Sequence, residues 1–164
     1  MPLVNAEGLL DDPYQVLEEG SAPAPNSAVL VSLDQWDHVA DHTGPLGLRL
    51  PNTLDPALIS DKLPRLALVA LEFPKFTDGR AYSQARLLRG RYGFTGEIRA
   101  TGAVLRDQLL YMSRCGISSF EIDRADAAER IAAALKEFSI VYQPATDRPD
   151  LSPLLGQKWR RSFA

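Results

Sequence analysis

Four β-type segments, residues 66–73, 97–101, 118–122 and 140–143, alternate with three amphipathic helical stretches in the second half of this 164-residue chain. No other feature narrows the fold as far. The helical stretch 79–92 aligns Ala81, Ala85 and Leu88, the stretch 103–115 aligns Leu105, Leu109 and Met112, and the stretch 125–138 aligns Ile131, Leu135 and Phe138. Spacings of three and four put each set on one helical face. Gly93 and Gly116 stand just past the first two helices, where a left-handed cap favours glycine, and Asp123 can cap the third. Strand-helix alternation with short connections implies right-handed crossovers and a largely parallel α/β sheet.

Polarity within the strands separates two architectures. Strands covered by helices on both faces are apolar throughout. Here Glu97, Arg99 and Thr101 alternate with Ile98 and Ala100, and Ser119 and Glu121 alternate with Phe120 and Ile122. One face is polar, so the favoured form is a partial, half TIM-barrel-like sheet of βα repeats whose second face is open or covered by the N-terminal segment. The alternative is a doubly wound sheet of Rossmann-like or flavodoxin-like type.

The first half reads as shorter elements. Tyr14, Val16 and Leu17 predict a short strand, and the Pro/Ser cluster at 21–27 predicts a loop. Residues 28–31 form an apolar β-type run, followed by Ser32 and Gln35 in capping-box spacing for a helix to about Val39. Gly44-Pro45 ends that element, residues 46–50 suit a strand, and Asp55-Pro56 opens a helix. The chain is expected to be one domain, 1–164: an N-terminal strand and loop over 1–27, an α/β core over 28–143 and a tail from 144 that ends KWRRSFA.

Charge and composition exclude several classes. A net charge of -3 and a pI near 5.4 argue against nonspecific nucleic-acid binding. No apolar run approaches the roughly 20 residues of a membrane span. The N-terminus has neither the basic start nor the apolar core of a secretory signal, and Cys115 is the single cysteine. A reducing cytoplasm is the expected compartment. Between Lys75 and Arg114, eight basic residues face only Asp78, Glu97 and Asp107, a local field that would attract an anion or an acidic protein.

Residues 73–122, FPKFTDGRAYSQARLLRGRYGFTGEIRATGAVLRDQLLYMSRCGISSFEI, resemble the bacterial domain-of-unknown-function family 934. The run from Phe73 to Arg89 and the string VLRDQL before RCG carry the resemblance, which extends more loosely over residues 11–143. It implies a bacterial protein associated with sulfite reduction and sulfur metabolism, labelled a probable oxidoreductase. It supplies no catalytic residues.

Site candidates therefore come from position. Parallel α/β sheets bind ligands beyond the carboxyl ends of their strands, where helix N-termini offer N–H groups to anions. Lys75, Asp78, Gly79, Arg80, Arg99, Gly102, Arg106 and Asp107 are expected at that edge, with Lys75 or Asp78 as the acid-base candidate. Against this stands Asp78 as a plain helix cap paired with Arg80 or Arg106. Glu72, Arg99 and Glu121 fall near the ends of consecutive strands, as a catalytic row or, the favoured reading, an ion network. His38 and His42 have two-histidine spacing but no third ligand, so no metal is expected. Cys115 reads as packed core. No G-x-G-x-x-G follows a strand and no G-x-x-x-x-G-K-[ST] occurs, so no cofactor is expected. Two functions remain: an accessory protein that contacts sulfite reductase or its electron donor through arginine-rich loops, or a small oxyanion-binding enzyme.

Overall fold

The computed structural model describes residues 2–122 apart from residues 19 and 76. Asp123, the expected third helix over 125–138, the expected strand over 140–143 and the tail from 144 lie outside the described residues. Among the described residues, eight strands form one sheet: β1 (Leu3–Asn5), β2 (Gly8–Leu10), β3 (Gln15–Val16), β4 (Val29–Val31), β5 (Leu46–Leu50), β6 (Leu66–Phe73), β7 (Glu97–Gly102) and β8 (Ser119–Glu121). Their order is β2-β1-β8-β7-β6-β5-β4-β3. Strands β3 to β8 stand in chain order and pair in parallel. The β1–β2 hairpin adds to β8 antiparallel, so the sheet is mixed, though mostly parallel.

Chain-order adjacency removes the doubly wound alternative, because that fold needs a reversal of strand order among its parallel strands. Every described crossover supplies apolar residues to one core on one face. Val39, Ile59, Leu63, Ala81, Ala85, Leu88, Leu109 and Met112 pack there with Val31, Leu48, Val69, Leu71, Ile98, Ala100 and Phe120. Full burial of a side chain such as Leu88 contributes about 1.5–3 kcal/mol.

The opposite face is closed by a short strap. Residues 11–14 join β2 at one edge of the sheet to β3 at the other. A flat eight-stranded sheet would be about 33 Å across, at roughly 4.7–4.9 Å per gap. The step from Leu10 to Gln15 can span at most about 18 Å. The sheet must therefore curl into a half-barrel, with the strap as a chord across its open side. Tyr14 of the strap packs on Leu30, Leu68 and Ala70, which face away from the helices.

Local chemistry explains most elements. Helix α1 (Arg80–Gly90) follows β6, and Gly93 beyond it has φ +63°. The crossover after β4 is a 3-10 helix, Leu33–Val39, where the Gln35 side-chain carbonyl accepts from both the Ser32 backbone N–H and its hydroxyl. Asp55 caps a second 3-10 helix, Pro56–Ile59, by accepting from the Ala57 N–H at 2.8 Å.

The stretch 103–115 departs from expectation. Only α2 (Leu109–Arg114) is α-helical, preceded by a 3-10 turn at Arg106–Gln108. Gly102 adopts φ +92°, the Ala103 N–H goes to the Phe73 carbonyl at 2.7 Å, and the Val104 N–H goes to the Gly102 carbonyl at 2.8 Å. With those groups committed, the helix starts later, and Leu105 is 42% exposed instead of joining the buried stripe.

The N-terminal hairpin was not foreseen as two strands. Its turn is closed by the Asn5 side-chain oxygen, which accepts from the Glu7 and Gly8 N–H groups at 2.8 and 3.1 Å.

Candidate functional site

The loops after β6 and β7 meet at the carboxyl rim of the sheet. Phe73 and Gly102 are register partners at the two strand ends, and the Ala103 hydrogen bond to Phe73 ties the loops together. A Cβ on Gly102 would sit 2.6 Å from the Phe73 carbonyl oxygen, so glycine is required here by close approach as well as by φ. Lys75, Gly79, Arg80, Gly102, Arg106 and Asp107 are all exposed on this rim.

Asp78 is committed to the loop. Its carboxylate accepts from the Arg80 backbone N–H at 3.2 Å and from the guanidinium at 3.0 and 2.6 Å. These Arg80 contacts hold its carboxyl well below the usual carboxylate range, which leaves a weak base. The Asp78 carboxylate in turn pushes the Arg80 pKa up.

Aromatic side chains run outward from the same edge. Phe73 meets Tyr82 of α1 edge-to-face at 5.2 Å, and Tyr82 meets Tyr111 of α2 at 5.0 Å. Tyr111 is 54% exposed. The rim thus presents Leu105 and Tyr111 alongside its basic residues. Behind it, Gln84 of α1 donates to the Pro51 and Leu54 carbonyls at 2.8 and 2.7 Å and pins the loop after β5. Sequence reading missed Gln84, because a lone glutamine on a helix carries no signal of its distant partners.

Arg99 is placed apart from that rim. It lies within β7, opposite Ala70 of β6 and Ser119 of β8, on the face beneath the strap. Its side chain is only 1% exposed. Its Nε donates to Glu97 at 3.0 Å and its Nη1 to Asp12 of the strap at 2.8 Å, with Glu121 at 3.9 Å. The Tyr14 ring centre lies 5.5 Å from the guanidinium carbon. Burial pulls the Arg99 pKa down, but the hydrogen bonds and charges of Asp12 and Glu97 outweigh it and the net direction is up. Burial pushes Glu121 up, against the opposing pull of Arg99. Glu72 turns instead to Arg49 at 3.5 Å. The expected row of Glu72, Arg99 and Glu121 is thus divided between two ion networks, and Asp12 and Glu97 are the partners that sequence reading did not assign to Arg99.

The family model described as a bacterial protein of unknown function, DUF934, matches residues 47–152. The chain belongs to the DUF934 family. Among curated proteins, none matches it. The match runs from the second residue of β5 through β8 and covers both rim loops, and it does not reach the strap.

Two clefts in this DUF934 protein lie away from the rim residues just described. One, of about 200 Å³, is lined by Val16, Leu17, Leu30, Val31, Ser32, Gln35 and Arg49. The other, of about 250 Å³, is lined by Leu17, Glu18, Gly20, Ser21, Ala22, Gln35 and His38. His42 is engaged elsewhere, its Nε2 2.7 Å from the Ser27 carbonyl oxygen. Among the described residues no group of three or more His, Cys, Asp or Glu side chains could hold a metal ion, and no helix is long and apolar enough to cross a membrane. Cys115 is buried at the end of α2. Arg89, one of the basic residues between Lys75 and Arg114, is a structural clamp. It donates to the Phe94, Gly96 and Gly116 carbonyls at 2.7, 2.7 and 3.0 Å.

Proposed function

We propose that this DUF934 protein is an accessory protein of assimilatory sulfite reduction, docking sulfite reductase or its acidic electron donor through the loops after β6 and β7. The observation that carries this reading is the company the basic side chains keep. Arg106 and Lys75 are exposed on the rim that also presents Tyr111 and Leu105, beside Arg80, whose guanidinium is shared with Asp78. Tyrosine and arginine dominate the energetics of protein interfaces, and surrounding positive charge steers an acidic partner. The choice of rim follows the habit of TIM-barrel βα units, which place their working loops at the carboxyl ends of the strands. The link to sulfite reduction comes from the family resemblance alone.

Docking needs no cofactor and no enclosed pocket. The competing reading, a small oxyanion enzyme using Lys75 or Asp78, is weakened by the commitment of Asp78 to Arg80. Co-purification from cells growing on sulfate tests the proposal. Tyr111→Ala combined with Arg106→Ala should weaken capture of the reductase or donor by about 30-fold in Kd, the effect of roughly 2 kcal/mol at an interface hot spot. Unchanged capture and unchanged growth on sulfate would reject docking at this rim. Titrating sulfite into the isolated protein separates the two readings, because only the enzyme reading requires saturable binding that Arg80→Ala removes.

A further inference from the structure

Arg99 presents a two-pronged edge that is only half used. Nε is taken by Glu97, and on the outer edge Nη1 donates to a single carboxylate oxygen of Asp12 at 2.8 Å. Nη2 is buried and has no hydrogen-bond partner among the described residues. A guanidinium edge of two parallel N–H groups matches both oxygens of one carboxylate. Asp12 satisfies one prong because its position is dictated by the strap. Its other oxygen, Oδ1, accepts from the Tyr14 N–H at 3.1 Å.

We propose that the outer edge of Arg99 is a binding site for a small free carboxylate, and that Asp12 occupies it as a displaceable internal ligand. Exchanging one carboxylate for another leaves the net charge beside Glu97 and Glu121 unchanged, so the acidic neighbours that would repel an additional anion do not oppose the swap. The incoming group engages both Nη1 and Nη2, which the strap-bound Asp12 does not. Asp12 is suited to leave. Its side chain is 36% exposed, its neighbours Asp11 and Pro13 are exposed, and the strap holds to the sheet's inner face through Asp12 and Tyr14. Tyr14 remains over the guanidinium as the apolar wall of the site.

Chemical rescue tests this. In Asp12→Ala, formate should raise Tm by about 2–4 °C at roughly five times its dissociation constant, beyond the effect of chloride at equal ionic strength. The wild-type protein should gain less, because Asp12 competes. Asp12→Ala combined with Arg99→Lys, which keeps the charge but loses the fork, should lose the formate-specific rise. Formate should also speed exchange of the Tyr14 amide hydrogen in the wild-type protein, because that N–H donates to the Asp12 carboxylate, a readout that does not depend on the variants folding. If formate acts no differently from chloride in both measurements, the site is overturned. A rise that survives Arg99→Lys overturns it equally, because the carboxylate would then be bound elsewhere.

Discussion

Arg99 and its neighbours show how a buried cation organises carboxylates of different kinds. Asp12 and Glu97 hydrogen-bond to it directly, whereas Glu121 stands 3.9 Å away, and burial raises its pKa. A carboxyl whose folded pKa lies above its unfolded value contributes stability that is present below the unfolded pKa and lost as pH rises through the folded one. Ionised Glu121 is therefore a cost at neutral pH. Glu121→Gln should make the protein more stable than wild type at pH 7 in urea unfolding, and the advantage should shrink as pH falls through the carboxylate range. An advantage that does not vary with pH would assign the effect to packing. The alternation of Glu97, Arg99 and Thr101 announced a polar face, but which carboxylates would reach Arg99 was not legible, because Asp12 lies 87 positions away in the chain.

At the scale of elements, local periodicity and turn chemistry were legible even in short segments: β4 (Val29–Val31) and β8 (Ser119–Glu121) fall within the expected runs 28–31 and 118–122. Strands β5 and β6 coincide with their expected bounds, and α1 lies within its expected stretch, because each repeats its apolar pattern over enough residues to be distinctive. The stretch before α2 failed where backbone competition decides. Gly102 turns the chain so that Ala103 bonds to β6, and no helical periodicity records that contact. Gln84 is a similar case. It joins α1 to the loop after β5 by two hydrogen bonds, and its replacement leaves two carbonyls without their partner. Gln84→Ala should lower unfolding free energy by about 1–3 kcal/mol, read from the denaturation midpoint at constant m value. It should also speed hydrogen exchange in residues 51–54 before the rest of the sheet.

Across the whole molecule, the N-terminal hairpin and strap finish a half-barrel that the βα units begin. β1 covers the edge of β8, pairing Leu3 with Glu121 and Val4 with Phe120. Removing residues 1–10 should leave that edge unpaired and convert the protein to concentration-dependent oligomers in size-exclusion chromatography, since exposed edges recruit further strands. A monomeric product would show that the edge is protected without β1. From sequence alone came the α/β class, the parallel βα succession and the one-sided polarity that favours a half-barrel, all consequences of local periodicity. Tertiary structure alone decided that β1 and β2 extend the sheet beyond β8, that a four-residue strap spans its open side, and that Arg99 belongs to that strap instead of to the rim. Each of these depends on contacts between residues far apart in the chain, and the side-chain pattern of either partner leaves no trace of the other.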